Sequence, residues 1–432
     1  MNQERHSLQE VHASVKIPNT NNFWRKLWAF TGPGLMVAVG YMDPGNWATD
    51  IAGGAKFGYT LLSIILLSNL FAMLLQHLSL KLGIVTGMDL AQACRAYFSK
   101  RVAFILWLLA EVAIAACDLA EVLGSAIALH LLFRIPLAIG VIITTLDVLL
   151  ILYFQSKGFR IIESIVGGLI GIVLLCFVYE VIASRPEVAA VVQGLIPKKE
   201  IVLNSEMLYV AIGILGATVM PHNLYLHSSI VQTRDYIRND VGKREAIKFA
   251  TIDSTASLTI AFLINASIMI LAAATFHYSG NFHIADITDA HKMLDRLLGD
   301  RWASVIFAVA LLAAGQNATI TGTLAGQIVM EGFLDLRMKP WLRQLLTRLI
   351  AIVPALIVAI KYGEHGTSEL LVFSQVILSV QLSFAVVPLI IFTSKTSWMA
   401  NFTNSRILSI VSWLVAIVII LLNIYLLWTV IR

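Results

Sequence analysis

Long runs of apolar residues follow one another along most of the chain, separated by short polar segments. Runs of about 18 or more mainly apolar residues recur from near Trp28 to Ile431. Because a helix needs about 20 residues to cross the hydrocarbon core of a bilayer, the pattern predicts about eleven membrane spans. The predicted spans are 29–55, 59–82, 102–132, 136–154, 161–183, 206–231, 249–276, 301–330, 341–360, 369–392 and 407–430.

The polar segments divide the chain into a tail, two groups of five spans and a last helix. Residues 1–28 predict a cytoplasmic N-terminal tail, mobile over residues 1–22, without the apolar core of a cleavable signal. An outer, extracellular connection, 184–205, separates spans 29–183 from spans 206–392. Residues 393–432 predict a connection followed by the eleventh helix.

The first predicted span is interrupted by residues that disfavour a continuous membrane helix. Residues 40–47 read Gly-Tyr-Met-Asp-Pro-Gly-Asn-Trp in the middle of an apolar run. Pro44 removes a backbone donor and blocks the carbonyl one turn earlier, so the helix opens here. Freed carbonyls and the acid Asp43 are costly in hydrocarbon unless they line a cavity or bind a ligand. We interpret the break as a binding site near the middle of the membrane; the alternative is a turn between two short helices.

A second interruption lies in the sixth predicted span. Residues 213–223 read Gly-Ile-Leu-Gly-Ala-Thr-Val-Met-Pro-His-Asn, so that glycine and proline again break an apolar run. The two broken spans open corresponding groups of five. This arrangement is typical of inverted-repeat transporters, whose substrate site lies where the breaks meet.

The third predicted span carries three acids within otherwise apolar sequence. Glu111, Asp118 and Glu121 are spaced by seven and three residues, which places them near one helical face. Acids inside a membrane are usually functional, and a row of them is typical of a proton relay. The alternative is that Glu111 and Glu121 are neutral or paired structural groups.

Composition and charge exclude several classes of protein. The chain has 432 residues, of which 58% are hydrophobic and 13% charged, and a mean hydropathy of +0.81, so it is a multi-pass membrane protein surrounded by lipid. Most of its 31 Lys and Arg lie on one side if connections alternate, which predicts a cytoplasmic N-terminus. The net charge of +5 therefore indicates membrane orientation and not a nucleic-acid partner. The three cysteines have no paired spacing, so neither a disulfide framework nor a thiolate metal site is predicted.

The groups at the two breaks suit a divalent transition metal. The Asp43 carboxylate, the Asn46 amide oxygen, a freed carbonyl near Ala217 and the Met220 thioether would face each other. Oxygen ligands alone suit magnesium or calcium, whereas one neutral sulfur favours softer first-row ions. One formal negative charge fits reversible binding. The alternative for Met220 is a gap-filling core residue.

Two further residues are candidates for proton movement. His222 follows Pro221 directly, and we expect it to titrate near Glu121, with direct metal ligation as the alternative. Arg348 lies about two turns inside the ninth predicted span and needs an acid partner, for which Asp118 is the natural candidate. The alternative for Arg348 is snorkelling to the inner surface.

These motifs resemble a known family over about residues 30–427. Residues 40–46 look like the first-helix motif, and residues 220–223 the sixth-helix motif, of the natural resistance-associated macrophage protein (Nramp) family of proton-coupled divalent metal transporters. Residues 315–332, with Thr-Gly-Thr-Leu-Ala-Gly-Gln at 321–327, are similar to that family's transport signature. Two break motifs at matching positions make the resemblance specific.

The resemblance implies an all-α membrane protein of LeuT-type fold, with eleven helices in two inverted five-helix repeats whose helices 1 and 6 are broken. It implies symport of Mn²⁺, or of Fe²⁺, with protons across the plasma (inner) membrane, and no cofactor beyond the transported metal. A monomer is the expected unit. By family pattern, metal binding falls to Asp43, Asn46, Met220 and the Ala217 carbonyl, with Gln375 in some states, and proton movement to Asp118, Glu121, His222 and Arg348.

Two positions depart from the family pattern. Thr347 precedes Arg348 where some members have a second arginine, which concerns the inner end of the proton route. Ser383 stands where a proline is common, which concerns the flexibility of helix 10.

Three other functions fit the sequence less well. A sodium-coupled amino-acid transporter of the same architecture would need backbone-rich breaks without an acid and a thioether. A membrane metalloenzyme would need a ligand set such as His-Glu-x-x-His, which is absent from the sequence. A channel is disfavoured by paired broken helices in repeated groups.

Overall fold

The computed structural model describes residues 7–146, 153–154, 157–284, 286–300, 302–336 and 340–431. The helices of the first half are α1 Phe23–Phe30, α2 Pro33–Val39, α3 Pro44–Phe57, α4 Leu62–Thr86, α5 Leu90–Tyr97, α6 Lys100–Phe133, α7 Leu137–Thr145 and α8 Phe159–Ser184. Those of the second half are α9 Val188–Gly194, α10 Glu200–Leu203, α11 Ser205–Thr218, α12 His222–Ile230, α13 Asp240–Thr275, α14 Ile287–Leu298, α15 Ala303–Leu334, α16 Pro340–Lys361, α17 Gly363–Thr393, α18 Thr396–Met399 and α19 Arg406–Ile431.

Each predicted span corresponds to one of these helices or to a pair of half-helices. Eight stretches of the described residues are long and apolar enough to cross a membrane, and one of them, Pro44–Thr86, joins two predicted spans. The fourth predicted span, 136–154, is described only to Leu146 and at 153–154. The all-α membrane architecture predicted from the apolar pattern is confirmed.

Both predicted breaks are present. In the first span α2 ends at Val39 and α3 begins at Pro44, with Asp43 as N-cap, whose Oδ1 accepts a hydrogen bond of 2.9 Å from the Asn46 backbone N–H. In the sixth span α11 ends at Thr218 and α12 begins at His222. Pro44 occupies the first position of α3, where a residue without a backbone N–H suits a helix start.

The bundle is built around the pair α6 and α15, which pack along most of their lengths, while α13 packs on α2, α3 and α4. Close approach of α6 and α15 depends on small residues: a Cβ added to Gly315 would lie 2.4 Å from Ser125 Oγ. The small-residue segment that begins at Gly315 therefore serves helix packing.

The prediction of a mobile N-terminal tail is wrong for residues 7–16. Leu8, Val11 and Val15 are buried, with exposed fractions of 2%, 8% and 8%. The short strand β1, Val15–Lys16, pairs in parallel with β2, Arg234–Asp235, in the connection after α12. Apolar side chains in an otherwise polar segment remove enough surface from water to hold it against the bundle.

Two connections also differ from a simple loop. The basic segment from Lys243 to Lys248 lies in the first turns of α13, because the Asn239 side chain caps that helix. On the opposite side, the outer connection 277–300 contains the helix α14, which the Asp286 side chain caps.

Candidate metal and proton site

The two helix breaks meet inside the bundle. A Cβ added to Gly40 would lie 2.1 Å from Asn223 Nδ2, so the first break contacts the start of α12 directly. A Cβ on Gly124 of α6 would lie 2.2 Å from Pro44 Cγ. These glycines let the two breaks approach each other and let the start of α3 pack against α6, as expected from the sequence.

All four side chains or carbonyls predicted to bind metal are buried at this junction. Asp43, Ala217 and Met220 have exposed fractions of 0%, and Asn46 of 1%. Met220 packs with Cys117, Ala113 and Leu378 in one small cluster. Gly124 of α6 lies against Pro44, next to Asp43, and Cys117 of the same helix packs against Met220, so both breaks contact α6.

Several polar atoms at the junction have no hydrogen-bond partner among the described residues. They are Asp43 Oδ2, both side-chain atoms of the Asn46 amide and Gln375 Oε1. Buried polar atoms are almost always paired in native proteins, so a group of orphans indicates a site for a ligand. Carboxylate and amide oxygens beside a thioether are donors that a first-row divalent cation accepts.

Gln375 reaches the junction from α17. It is 3% exposed, and a Cβ added to Gly45 would lie 1.8 Å from its Nε2. Its Nε2 donates to Ser374 Oγ at 3.3 Å, while its Oε1 has no partner among the described residues. The fold therefore brings Gln375 to the predicted metal site.

A cavity of about 170 Å³ adjoins Gln375 on one side of the junction. It lies between α3, α11, α17 and α19, and its lining is mostly apolar. Since α3 follows the first break and α11 precedes the second, both halves lie on the side of the bundle opposite the N-terminus. We call that side the outer side and the side of the N-terminus the inner side.

The acids of α6 lie beside the metal-site residues. Asp118 and Glu121 are 3% and 1% exposed. A Cβ added to Gly322 of α15 would lie 2.5 Å from Glu121 Oε1 and 3.3 Å from Asp118 Oδ1, so both acids face the same glycine. His222, 2% exposed, places Nε2 at 3.9 Å from Cys117 Sγ. These three titratable groups share one buried region next to Met220.

The other two residues predicted for proton movement have different placements. Glu111 is half-buried and accepts a hydrogen bond of 3.1 Å from Trp107 Nε1, within its own helix. Ten residues of helix separate it from Glu121, a rise of about 15 Å. Arg348 lies within α16, but its side chain lies outside the part of the chain that is described. Its pairing with Asp118 stays a prediction.

A buried ion pair at the inner side was not predicted from the sequence. Arg234 donates to Glu163 Oε1 at 2.6 Å and to the Thr31 carbonyl at 2.7 Å, and Asp253 accepts from the Gly34 backbone N–H at 2.7 Å. These contacts satisfy backbone groups around the start of α2. The acids Glu163 and Asp253 near the ends of apolar runs were the available signal.

Cys117 was also missed. It is 2% exposed, and its thiol donates to Glu121 Oε1 at 3.4 Å. The sequence shows it only as an isolated cysteine in an apolar run. Its place beside Met220 depends on how α6 packs against the second break.

The outer connection 277–300 carries several His and Asp residues, among them His277, His283 and Asp286. Among the described residues, no group of three or more His, Cys, Asp or Glu is arranged to hold a metal. The junction of the breaks offers a different set of donors: one acid, an amide, a carbonyl and a thioether.

Comparison with known proteins identifies the family. Residues 34–429 match the family described as natural resistance-associated macrophage protein-like. The divalent metal cation transporter MntH of Nostoc sp. is 62% identical over 98% of this chain and 96% of its own length, and that of Listeria innocua is 64% identical over 98% and 94%.

Solved structures of transporters resemble the fold of this chain. The manganese transporter of Eremococcus coleocola superposes with a TM-score of 0.91 at 43% identity, covering 97% of this chain and 90% of that one. The nucleobase-cation-symport-1 family transporter Mhp1 superposes with a TM-score of 0.61 at 14% identity over 92% and 93%, which shows the shared LeuT-type fold alone. The chain belongs to the natural resistance-associated macrophage protein-like (Nramp) family.

Proposed function

We propose that the chain imports Mn²⁺ into the cytoplasm together with protons, by alternating access of the junction to the two sides of the membrane. Its relatives in Nostoc and Listeria are divalent metal cation transporters, and that in Eremococcus is a manganese transporter. The chain is accordingly a transporter of divalent metal and not an enzyme. The observation that carries the proposal is the meeting of two helix breaks around orphaned polar atoms and a thioether.

The metal ligands in this proposal are Asp43, Asn46, Met220 and the Ala217 carbonyl, with Gln375 joining in some states. One carboxylate offsets half the charge of a divalent ion, and neutral donors supply the rest of the coordination. Such a site binds weakly enough to release its ion, unlike a closed thiolate site. Fe²⁺ fits the same donors and is the second proposed substrate.

The proton carriers are Asp118, Glu121 and His222, which lie beside the metal ligands without being among them. When the divalent ion arrives, its positive charge favours proton loss from neighbouring groups. The route to the cytoplasm is proposed to include Arg348 and Glu111. An inward proton gradient then drives metal import.

The inner side is closed by buried pairing, and the outer side holds the cavity beside Gln375. We infer that the described state faces outward. The proposal places the protein in the plasma (inner) membrane with a cytoplasmic N-terminus and a monomer as the transporting unit.

Proteoliposomes test the function. We expect uptake of Mn²⁺ that rises when the outside is made acidic, with internal acidification reported by a pH dye. A competition series with Fe²⁺, Co²⁺, Cd²⁺, Ca²⁺ and Mg²⁺, with and without the gradient, ranks the substrates. Absent Mn²⁺ uptake, or uptake indifferent to the gradient, would contradict the proposal.

A further inference from the structure

Cys117 places a second sulfur atom at the junction. Its side chain packs in the same small cluster as Met220, and its Sγ lies 3.9 Å from Nε2 of His222, the first residue after the second break. The unpartnered atoms of Asp43 and Asn46 lie at the same junction and independently indicate a ligand there. Thiol sulfur is a softer donor than any oxygen of the site.

We propose that Cys117 is a ligand for soft divalent ions such as Cd²⁺, so that these ions are held more tightly than Mn²⁺. This inference rests on the proposed function of the junction. The thiolate is the form that binds metal, so ligation releases the thiol proton. Glu121 Oε1, 3.4 Å from Sγ, is placed to accept it. The S–H bond breaks, a Cd–S bond forms, and no electrons leave the site.

The test compares Cys117→Ser with Cys176→Ser, which changes a partly buried cysteine on α8. Cd²⁺ added to purified protein is expected to give an ultraviolet cadmium–thiolate band that Cys117→Ser removes and Cys176→Ser retains. In proteoliposomes, the ratio of the Cd²⁺ inhibition constant to the KM for Mn²⁺ should rise about tenfold in Cys117→Ser.

A band that persists in Cys117→Ser would overturn the proposal, as would an unchanged ratio. A purely structural role of Cys117 would alter uptake without giving a band in the wild type. Failure of the proposed function appears separately, as absent Mn²⁺ uptake by the wild type.

A second, independent observation concerns residues 7–16, which we call the N-terminal strap. The strap crosses the inner side of the bundle. The Leu8 backbone N–H donates to Glu331 Oε2 of α15 at 3.0 Å, and the Ala13 N–H donates to the Gln232 carbonyl after α12 at 3.0 Å. It therefore ties the inner half-helix of the second break to the uninterrupted α15.

The strap is also joined to Arg234, which binds the backbone at the start of α2, the inner half-helix of the first broken span. Val15 lies opposite Arg234 in the parallel strand pair, while the guanidinium of Arg234 binds Glu163 and the carbonyls before α2. Leu8 and Ala13 adopt φ values of 53° and 52°, a region that residues with a Cβ rarely occupy. Packing must hold this conformation.

The geometry points to the strap as an inner-side closure that has to detach before the junction opens to the cytoplasm. This inference too rests on the proposed alternating access. A cross-link tests it. Lys16 and Asp235 are exposed and opposite each other in the strand pair, at a separation that a disulfide spans.

In Lys16→Cys/Asp235→Cys, oxidation is expected to lower Mn²⁺ uptake at least about tenfold, and reduction to restore it, while each single cysteine variant is indifferent to oxidant. Undiminished uptake by the fully cross-linked protein would overturn the proposal. If the wild type takes up no Mn²⁺, the proposed function fails first.

A second measurement does not depend on uptake. Leu8→Asp disrupts a buried contact, whereas Ser14→Asp changes an exposed strap residue and is the matched control. In inside-out vesicles, a membrane-impermeant thiol reagent should modify Cys117 about fivefold faster in Leu8→Asp than in Ser14→Asp. Equal rates would show that the strap does not close the inner side.

Discussion

Asp43 and Met220 lie where helices are interrupted, whereas Asp118 and Glu121 lie on α6, which runs without interruption from Lys100 to Phe133. The interrupted backbone leaves polar atoms unpaired, and rotation of a few of its dihedral angles changes the direction of a half-helix. The uninterrupted helix holds its acids against α15 at fixed separations. In the proposed mechanism, the anionic metal ligand and the thioether therefore lie on interrupted backbone, whereas the two acidic proton carriers lie on a continuous helix.

The difference has a mechanical consequence for transport. Half-helices can tilt about a break, so ligands on them alter their geometry as access changes. Acids on a continuous, packed helix keep their positions. We infer that metal release follows movement of α2, α3, α11 and α12, while α6 and α15 supply the fixed frame for the proton route.

The largest expected effect comes from removing the acid of the interrupted region. Asp43→Ala leaves a divalent ion without an anionic ligand at the junction, so Mn²⁺ uptake should fall to the level of empty vesicles. Proton uptake driven by Mn²⁺ should disappear with it. The control is Asp289→Ala, an exposed acid on α14, and calorimetry with Mn²⁺ checks binding directly. Residual saturable uptake in Asp43→Ala would show that the Asp43 carboxylate is not required for metal binding.

The same glycine-to-alanine change can be made at the interrupted region and against the continuous helix α6, which allows the two regions to be compared directly. In Gly40→Ala the new Cβ meets Asn223 at the break, and in Gly322→Ala it meets Glu121 on the continuous helix. Overpacking costs about 1–3 kcal/mol, so each should lower uptake about tenfold or more. We expect Gly40→Ala to weaken Mn²⁺ binding, and Gly322→Ala to reduce proton uptake more than binding.

Gly168→Ala is the control for both substitutions, because a Cβ there would meet nothing within 4 Å. Alanine also favours helix over glycine. We expect uptake by Gly168→Ala to match the wild type. The comparison of regions would be wrong if Gly40→Ala and Gly322→Ala impaired metal binding and proton uptake in the same proportion.

Features that depend on local sequence, such as the helix breaks and the membrane spans, could be predicted from the sequence. The breaks were predictable because Pro44 and Pro221 act on their own helices, and local chemistry is enough to place them. The spans were predictable because lipid requires an apolar run of fixed length. The burial of Asp118 and Glu121 followed from acids within such a run.

Contacts between segments far apart in sequence were not predictable. Arg234 lies in a basic connection, and its partner Glu163 is 71 residues away. Leu8 and Val11 are isolated apolar residues in a polar segment without helical or strand periodicity, so the strap looked like a tail. Cys117 lies beside Met220 only because of the packing of α6. In each case the decisive information is tertiary.

A smaller effect is expected on the continuous helix itself. Asp118→Asn keeps the size of the side chain but removes its ionisable group. We expect proton uptake per Mn²⁺ to fall about tenfold, with a Mn²⁺ dissociation constant that changes less than about threefold. Calorimetry and a pH dye in the same preparation measure the two quantities. An equal loss of both would place Asp118 in the metal site.

The smallest and most selective effect is expected at Met220, where the substitutions test the contribution of one sulfur atom to ion selectivity. Met220→Ala should retain Mn²⁺ uptake but increase inhibition by Ca²⁺ or Mg²⁺ about tenfold, since oxygen ligands alone favour hard ions. Truncation also opens space at a fully buried position, so Met220→Leu is the matched variant that keeps volume without sulfur. If Met220→Leu discriminates against Ca²⁺ as well as the wild type does, volume and not the thioether sets selectivity. Equal inhibition in Met220→Ala and Met220→Leu, above that of the wild type, would assign the discrimination to sulfur.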